Sequence, residues 1–377
     1  MISYVTAGAG HRRAAEALTQ AVLAAFPQAD VQCRDLLDEV PAVVRHGYPW
    51  TYYVLIRHLA LVWGACFAWL DQAPIYALVQ PFRRMWNLFA ARRFIRRLRQ
   101  DPPDLIMTTH FFPTDVISAC KASGWLKAPL IVTVTDLRPH RFWVSKQAEA
   151  YVCGIAEGAR ILEARGIPAP RLHVLGIPIG SAFHASYDRR VLAQAFGLEP
   201  QRQTVLVTSG GSTVGPFEAV VDALMQMEDR LAHHVQLLVI CGDNARAVHR
   251  LQLRAQHATM PVRVLGFIDQ MPEAVALSDL IVAKAGGLTI TEAMGRGVPL
   301  IIYHAIPGQE RFNAQYVAAQ GAAVIAESPH EVAQAVCRFF EDSAHAAGMR
   351  KAAVSLSRPY AAEAIVSQVV KPLLDSL

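Results

Sequence analysis

Nine short runs of β-branched and other apolar residues, each followed by an amphipathic stretch, constrain most strongly how this 377-residue chain folds. They cover residues 2–6, 104–108, 130–135, 150–153, 204–208, 235–241, 262–265, 280–283 and 300–303. Strands that are apolar throughout need cover on both faces, so their alternation with helices implies α/β architecture with parallel sheets. One core seldom serves a chain this long. The glycine- and proline-marked segment 176–180 interrupts the rhythm, which restarts beyond it. The reading is therefore two Rossmann-like doubly wound domains, 1–178 and 179–358, facing a cleft at the carboxyl ends of their strands. The tail, 359–377, is helical in pattern and a candidate to pack back on the first domain.

Residues 48–100 depart from this rhythm and read as a helical insertion. Four of the six tryptophans, Trp50, Trp63, Trp69 and Trp86, fall inside it. Arginines follow from Arg83 and Arg84 to Arg99, with no acidic residue from 73 to 100. Aromatic rings favour the bilayer interface, and each arginine near anionic headgroups contributes roughly 1 kcal/mol. The insertion is read as a monotopic dock on an anionic membrane surface, carried by those four tryptophans with Arg83 and Arg84. The bland alternative is a hairpin buried against the first sheet, its arginines forming a solvated face.

The composition, 53% hydrophobic and 18% charged, is more apolar than that of an ordinary soluble domain. A formal charge of +5 with bunched arginines points to a local anionic surface and away from nucleic acid. The longest uncharged apolar run, 59–70, is about half of what a spanning helix needs. Cys33, Cys66, Cys120, Cys153, Cys241 and Cys337 form no C-x-x-C pair and no Cys/His ligand spacing, as expected in a reducing compartment. The strand-like start leaves no room for a signal peptide. A cytoplasmic protein, peripheral on the inner face of the cell membrane, is the expectation.

Four strand-to-helix junctions carry glycine where a helix begins. The first, Gly8-Ala-Gly10-His11, fails as a dinucleotide fingerprint because Arg13 occupies its last position. It leaves His11 at a helix start, beside glycines that let a ligand approach the backbone. The second, Ser209-Gly-Gly211-Ser212-Thr-Val-Gly215, offers amides and a hydroxyl to an anion. Val214 breaks the nucleophile-elbow pattern and the P-loop lysine is missing, which disfavours a hydrolase or an ATPase. The third, Lys284-Ala-Gly286-Gly287-Leu288-Thr289-Ile-Thr-Glu292, combines a glycine-turned helix start with a carboxylate about one turn further on, suiting a phosphate and a ribose diol. Its plain alternative is a charge that complements the helix dipole. The fourth, Pro307-Gly-Gln309-Glu310-Arg-Phe-Asn313, gathers amide and carboxylate groups of the kind that pair with sugar hydroxyls, or that cap a helix.

Taken in order, residues 209–216, Gly266-Phe267-Ile268-Asp-Gln-Met271, residues 284–299 and Pro307 to Asn313 resemble the family 28 glycosyltransferases. Together with Gly8 to His11 and Val134-Thr-Asp136-Leu they are most similar to the monogalactosyldiacylglycerol synthases and bacterial diacylglycerol glucosyltransferases. The resemblance implies a GT-B fold with a helical membrane-docking insertion and a UDP-sugar held mainly by the second domain. It implies that Phe267 and Ile268 receive the uracil, Glu292 the ribose diol, and Ser212, Leu288 and Thr289 the diphosphate. Gly10, Ser209, Gly211 and Gly287 belong to the same donor-binding loops, and Gln309 with Glu310 meets the hexose. Relatives often carry a carboxylate in the first loop, where this chain has none. His11 and Asp136 are both candidates for the catalytic base, with His110, His140 and Trp143 in adjoining segments.

Transfer from a UDP-sugar develops positive charge on the anomeric carbon and negative charge on the diphosphate. The chain has no Asp-x-Asp pair to hold a divalent ion. Helix starts and hydroxyls are expected to hold that negative charge without metal or cofactor, in one displacement that inverts the anomeric centre. The expected partners are a UDP-hexose (glucose or galactose), a lipid hydroxyl, foremost that of diacylglycerol, and an anionic membrane surface, with no nucleic acid. A UDP-N-acetylglucosamine 2-epimerase shares the two-domain layout and is the alternative, against which the insertion argues.

Overall fold

The computed structural model describes residues 1–6, 8–210, 215–227 and 233–376. The chain forms two compact units. One comprises Met1–Gly180, Pro307–Gln309 and Tyr360–Leu377, the other Ser181–Ile306 and Glu310–Pro359.

Unit 1 is built on β1 (Ile2–Tyr4), β2 (Cys33–Asp35), β3 (Ile106–Thr108), β4 (Leu130–Thr133), β5 (Ala150–Cys153) and β6 (Leu172–Val174). These strands are all parallel and ordered β2-β1-β3-β4-β5-β6. Strands β3, β4 and β5 are buried along their whole length, as both-face apolar runs require. Helix α1 (Ala9–Ala25) follows β1; α2 (Ala42–His58), α3 (Ala60–Leu70), α4 (Ala73–Ala90) and α5 (Arg92–Gln100) stand between β2 and β3; α6 (Phe111–Ala122) follows β3. The direction of sheet building reverses between β1 and β3, so the loops leaving those two strands diverge and open a crevice at their carboxyl ends. The C-terminal segment packs in this unit. Ile365, Val369 and Val370 share a core with Ile2, Leu18 and Val152, and Ala362 and Val366 lie against Ala17 and Ala21 of α1.

Unit 2 contains β7 (Gln203–Thr208), β8 (Val235–Ile240), β9 (Val262–Leu265), β10 (Leu280–Lys284), β11 (Leu300–His304) and β12 (Ala323–Ile325). All are parallel, in the order β12-β11-β10-β7-β8-β9, the doubly wound order with its switch point between β7 and β10. Its core joins Val205, Val207, Leu237, Val239, Val282 and Ile301 of the sheet to Val220, Leu224, Val336 and Phe339 of the covering helices.

The apolar runs do not mark β2, β6 and β12. All three are three-residue edge strands, mostly only partly buried. An edge strand pairs on one side and stays half wet, so backbone pairing recruits the mixed sequences of β2 and β6, whereas β12 lies in a short apolar run, Ala322–Ala326, outside the nine.

The insertion folds as α2 to α5, and many of its apolar residues face outward. Eleven of the nineteen large exposed hydrophobic residues among those described lie between Val43 and Phe89, so the apolar surface of the molecule is concentrated here. Helix α4 is reversed relative to an ordinary surface helix. Tyr76, Arg83, Asn87 and Ala90, spaced by seven, four and three residues, face the unit, whereas Leu78, Phe82, Met85, Trp86 and Phe89 face solvent. Asn87 donates to Asp115 of α6 at 2.7 Å. Arg83 departs from the expected membrane face. It pairs with Asp115 at 3.3 Å and lies 4.7 Å over the ring of Phe142, both on the inner side. Arg84 is half-buried with its Nε shielded from solvent. Trp50, Trp69 and Trp86 are exposed; Trp63 is half-buried between Tyr52 and Phe67, with ring centroids 5.4 and 5.7 Å away. In α5, Phe94 and Leu98 point inward and Arg92, Arg93, Arg96, Arg97 and Arg99 outward. Among the described residues no single helix is long and apolar enough to cross a membrane. Helices α2 and α3 together reach that length and composition but are bent by 115° at their junction.

Candidate active site

At the switch point of unit 1, β1 runs through Gly8, whose φ of 106° suits glycine, into Gly10 and His11 in the first turn of α1. The His11 Nδ1 lies 2.8 Å from the Thr109 carbonyl and 2.8 Å from the Thr135 hydroxyl. A carbonyl only accepts, so Nδ1 carries the proton and Nε2 is the basic nitrogen. Among the described residues nothing is hydrogen-bonded to that Nε2. Thr109 also donates from its hydroxyl to the His11 carbonyl at 2.8 Å, which locks α1 to the end of β3.

Asp136, in the loop leaving β4, accepts from the indole of Trp143 at 3.1 Å. Burial lowers the pKa of His11, and the charge of Asp136 and the Thr109 carbonyl oppose that shift. Burial raises the pKa of Asp136, opposed by His11 and by the Trp143 hydrogen bond. Both residues remain only partly buried as a whole. His110 stands edge-on to His11, with ring centroids 4.5 Å apart. Its Nδ1 accepts from the Phe112 amide at 3.0 Å, and burial first, then His11, holds its pKa well below the usual value. The structure thus gathers the two base candidates with His110 and Trp143. Thr109 and Thr135, which orient His11, were legible only as polar residues closing apolar strands.

In unit 2 the candidate donor-binding residues occupy the carboxyl edges of four strands. Gly211 and Ser212 lie outside the described residues. Ser209 is buried at the end of β7, followed by Gly210 at φ 66°. A Cβ on Gly242 would come within 3.4 Å of the Gly210 carbonyl oxygen, and one on Gly266 within 3.6 Å of that of Gly242. The three glycines form a side-chain-free floor across β7, β8 and β9 that leads to Phe267, 56% exposed, and Ile268.

Beyond β10, Gly286 caps the Gly287–Gly295 helix without any side-chain acceptor, and no acidic residue stands in its first turn. The first amides of a helix need partners, and the positive end of the dipole lies at Gly287, Leu288 and Thr289. Glu292 is half-buried in the same helix. The Glu310 carboxylate accepts from the Ile306 amide at 2.9 Å and reaches to 3.9 Å from where a Gly286 Cβ would stand. Asn313 donates to the Ala285 carbonyl at 3.1 Å, tying the helix after β11 to the end of β10. Burial lowers the pKa of Lys284, opposed by Glu310. Gln309, in the short segment that belongs to unit 1, opens the Gln309–Ala319 helix.

Two parallel six-stranded sheets, each with its chemical groups at a switch point, define the GT-B fold. Residues 11–179 match the family described as monogalactosyldiacylglycerol (MGDG) synthase, and residues 204–365 match the glycosyltransferase family 28 C-terminal domain. A probable chloroplastic monogalactosyldiacylglycerol synthase 2 of Oryza sativa subsp. indica is 32% identical over 377 residues, covering 97% of this chain and 78% of the relative. A processive diacylglycerol beta-glucosyltransferase of Staphylococcus epidermidis is 29% identical over 248 residues, covering 65% of this chain and 61% of the relative. The solved structure of HepE from Anabaena in complex with UDP-glucose superposes with a TM-score of 0.57 at 17% identity, covering 100% of this chain and 99% of that one. The chain belongs to the monogalactosyldiacylglycerol synthase family of family 28 glycosyltransferases, whose members make glycolipids.

Proposed function

We propose that the protein transfers a hexose from a UDP-sugar to a lipid hydroxyl, foremost that of diacylglycerol, while docked peripherally on an anionic membrane surface. The observation that carries this reading is helix α4, which turns its polar face inward and its apolar face outward in a chain whose relatives are named for work on diacylglycerol lipids. The HepE complex supports a UDP-sugar as donor. A soluble 2-epimerase would gain nothing from such a helix.

In this reading the amides that open the Gly287–Gly295 helix hold the diphosphate, Glu292 accepts from the ribose diol, the glycine floor leads the nucleoside to Phe267 and Ile268, and Gln309 with Glu310 meets the hexose. The acceptor oxygen attacks the anomeric carbon as UDP departs with the bonding electrons, and His11 Nε2 takes the acceptor proton. Asp136 stabilises the resulting imidazolium by charge. One displacement inverts the anomeric centre.

Purified protein incubated with labelled UDP-glucose, UDP-galactose and UDP-N-acetylglucosamine over diacylglycerol vesicles tests the reading. Label is expected in the lipid fraction from one of the two hexose donors, and none from any donor refutes it. Glu292→Ala is expected to weaken UDP binding by about 10- to 100-fold, the loss of one or two hydrogen bonds to a charged acceptor, with little change in thermal midpoint. Titration calorimetry checks this, and unchanged affinity would remove Glu292 from the donor site. Because helix amides neutralise the leaving group in this scheme, turnover in excess EDTA is expected to equal turnover without it; loss of activity restored by a divalent ion would contradict the scheme.

A further inference from the structure

Between Glu39 and Asp101 the chain has a single acidic residue, Asp71. It occupies the turn between α3 and α4, flanked by the exposed Leu61, Val62 and Trp69 on one side and Leu78 and Phe82 on the other. A lone carboxylate in an apolar hairpin is costly unless it is paired, and this one is 17% exposed. Its Oδ2 accepts from Arg165 at 2.7 Å, its Oδ1 from the Arg141 amide at 2.8 Å, and its carbonyl from the Arg141 guanidinium. Arg165 also donates to the Pro139 carbonyl at 2.8 Å. One turn earlier, the Phe67 carbonyl accepts from His140 Nε2 at 2.9 Å, and the two rings lie 4.3 Å apart. Burial pushes His140 down to about 4, so it donates as a neutral imidazole and the charge of Asp71 is met by Arg165.

All of these links converge on residues 139–141, in the loop that leaves β4. The same loop carries Asp136 at one end and, at the other, the Trp143 indole that holds it. We propose that Asp71 is a positioning residue that ties the seating of the α3–α4 hairpin on a lipid surface to the placement of the 136–143 loop beside His11. The proposal rests on the membrane-docking reading given above. Asp71 touches neither His11 nor Asp136; it acts through the loop, where displacement of a catalytic group by about 1 Å lowers turnover about 100-fold.

The test compares the parent with Asp71→Asn on phosphatidylcholine–phosphatidylglycerol vesicles containing diacylglycerol. Vesicle cosedimentation, UDP affinity, thermal midpoint and the pH profile of kcat/KM are measured alongside kcat. The variant is expected to bind vesicles and UDP as the parent does and to lose about 10- to 100-fold in kcat. Its KM for the donor stays unchanged, the acid limb of its profile shifts, and Asp71→Glu recovers part of the loss. Arg165→Gln probes the same tie from the other side and is expected to repeat the pattern. Unchanged kcat overturns the proposal, as does a fall in kcat that merely tracks lost vesicle binding or lost folded protein. A parent that neither cosediments nor glycosylates lipid sinks the docking reading and the proposal with it; a competent parent matched by Asp71→Asn sinks the proposal alone.

Discussion

His11→Gln is expected to lower kcat by about 100- to 10,000-fold, the range that general-base catalysis supplies, while UDP affinity stays within about twofold. Glutamine replaces the basic ring nitrogen by a non-basic amide, and the thermal midpoint measured alongside separates that loss from the loss of the 2.8 Å contact between Nδ1 and the Thr109 carbonyl. The pH dependence has a definite sign. The base acts when deprotonated, so activity falls as pH drops through the pKa of His11. Burial puts that pKa below its ordinary 6.5, and the acid limb of kcat/KM is expected below 6.5 as well. Asp136 raises the pKa of His11, so Asp136→Asn is expected to move the limb further toward acid and to lower the plateau, since the imidazolium loses its counter-charge. A limb that moves toward alkali in Asp136→Asn, or a His11→Gln enzyme that keeps parental kcat, would assign the base elsewhere.

The second large effect concerns the exposed face of α4. Phe82 and Trp86 are 66% and 58% exposed, so Phe82→Glu with Trp86→Glu leaves the core untouched and is expected to shift the thermal midpoint little. Burying one such side chain in lipid contributes roughly 1.5–3 kcal/mol, whereas each arginine near an anionic surface contributes roughly 1 kcal/mol. The double variant is therefore expected to lose about 100-fold or more in vesicle partitioning. Neutralising Arg93 and Arg96 together is expected to cost less, and raising the salt concentration is expected to weaken binding without abolishing it. Vesicle cosedimentation reads all three, and an unaffected double variant would mean that this face meets something other than a bilayer.

Much of the architecture is legible in the sequence because a strand covered on both faces must be apolar throughout. Where that physical demand lapses, so does the signal: Cys33–Asp35 and Leu172–Val174 pair at sheet edges with mixed side chains. The insertion is visible through its tryptophans and arginines, but composition does not say which way each residue faces. Arg83 reads like its neighbours Arg84 and Arg92, yet it turns inward, where Asp115, 32 residues further along the chain, pairs with it.

The sequence by itself determined the parallel α/β class, the glycine-turned helix starts and the family, because each depends on residues close together in the chain or on a pattern repeated along it. Only the tertiary structure decided which nitrogen of His11 is basic, since the carbonyl and hydroxyl that choose it come from Thr109 and Thr135, about a hundred residues or more away. It also decided that Asp71 reaches the loop of Asp136 through Arg141 and Arg165. The physical reason is one and the same. Short-range pattern is dictated by burial and backbone propensity, whereas the state of a titratable side chain depends on partners that only folding brings within hydrogen-bond distance.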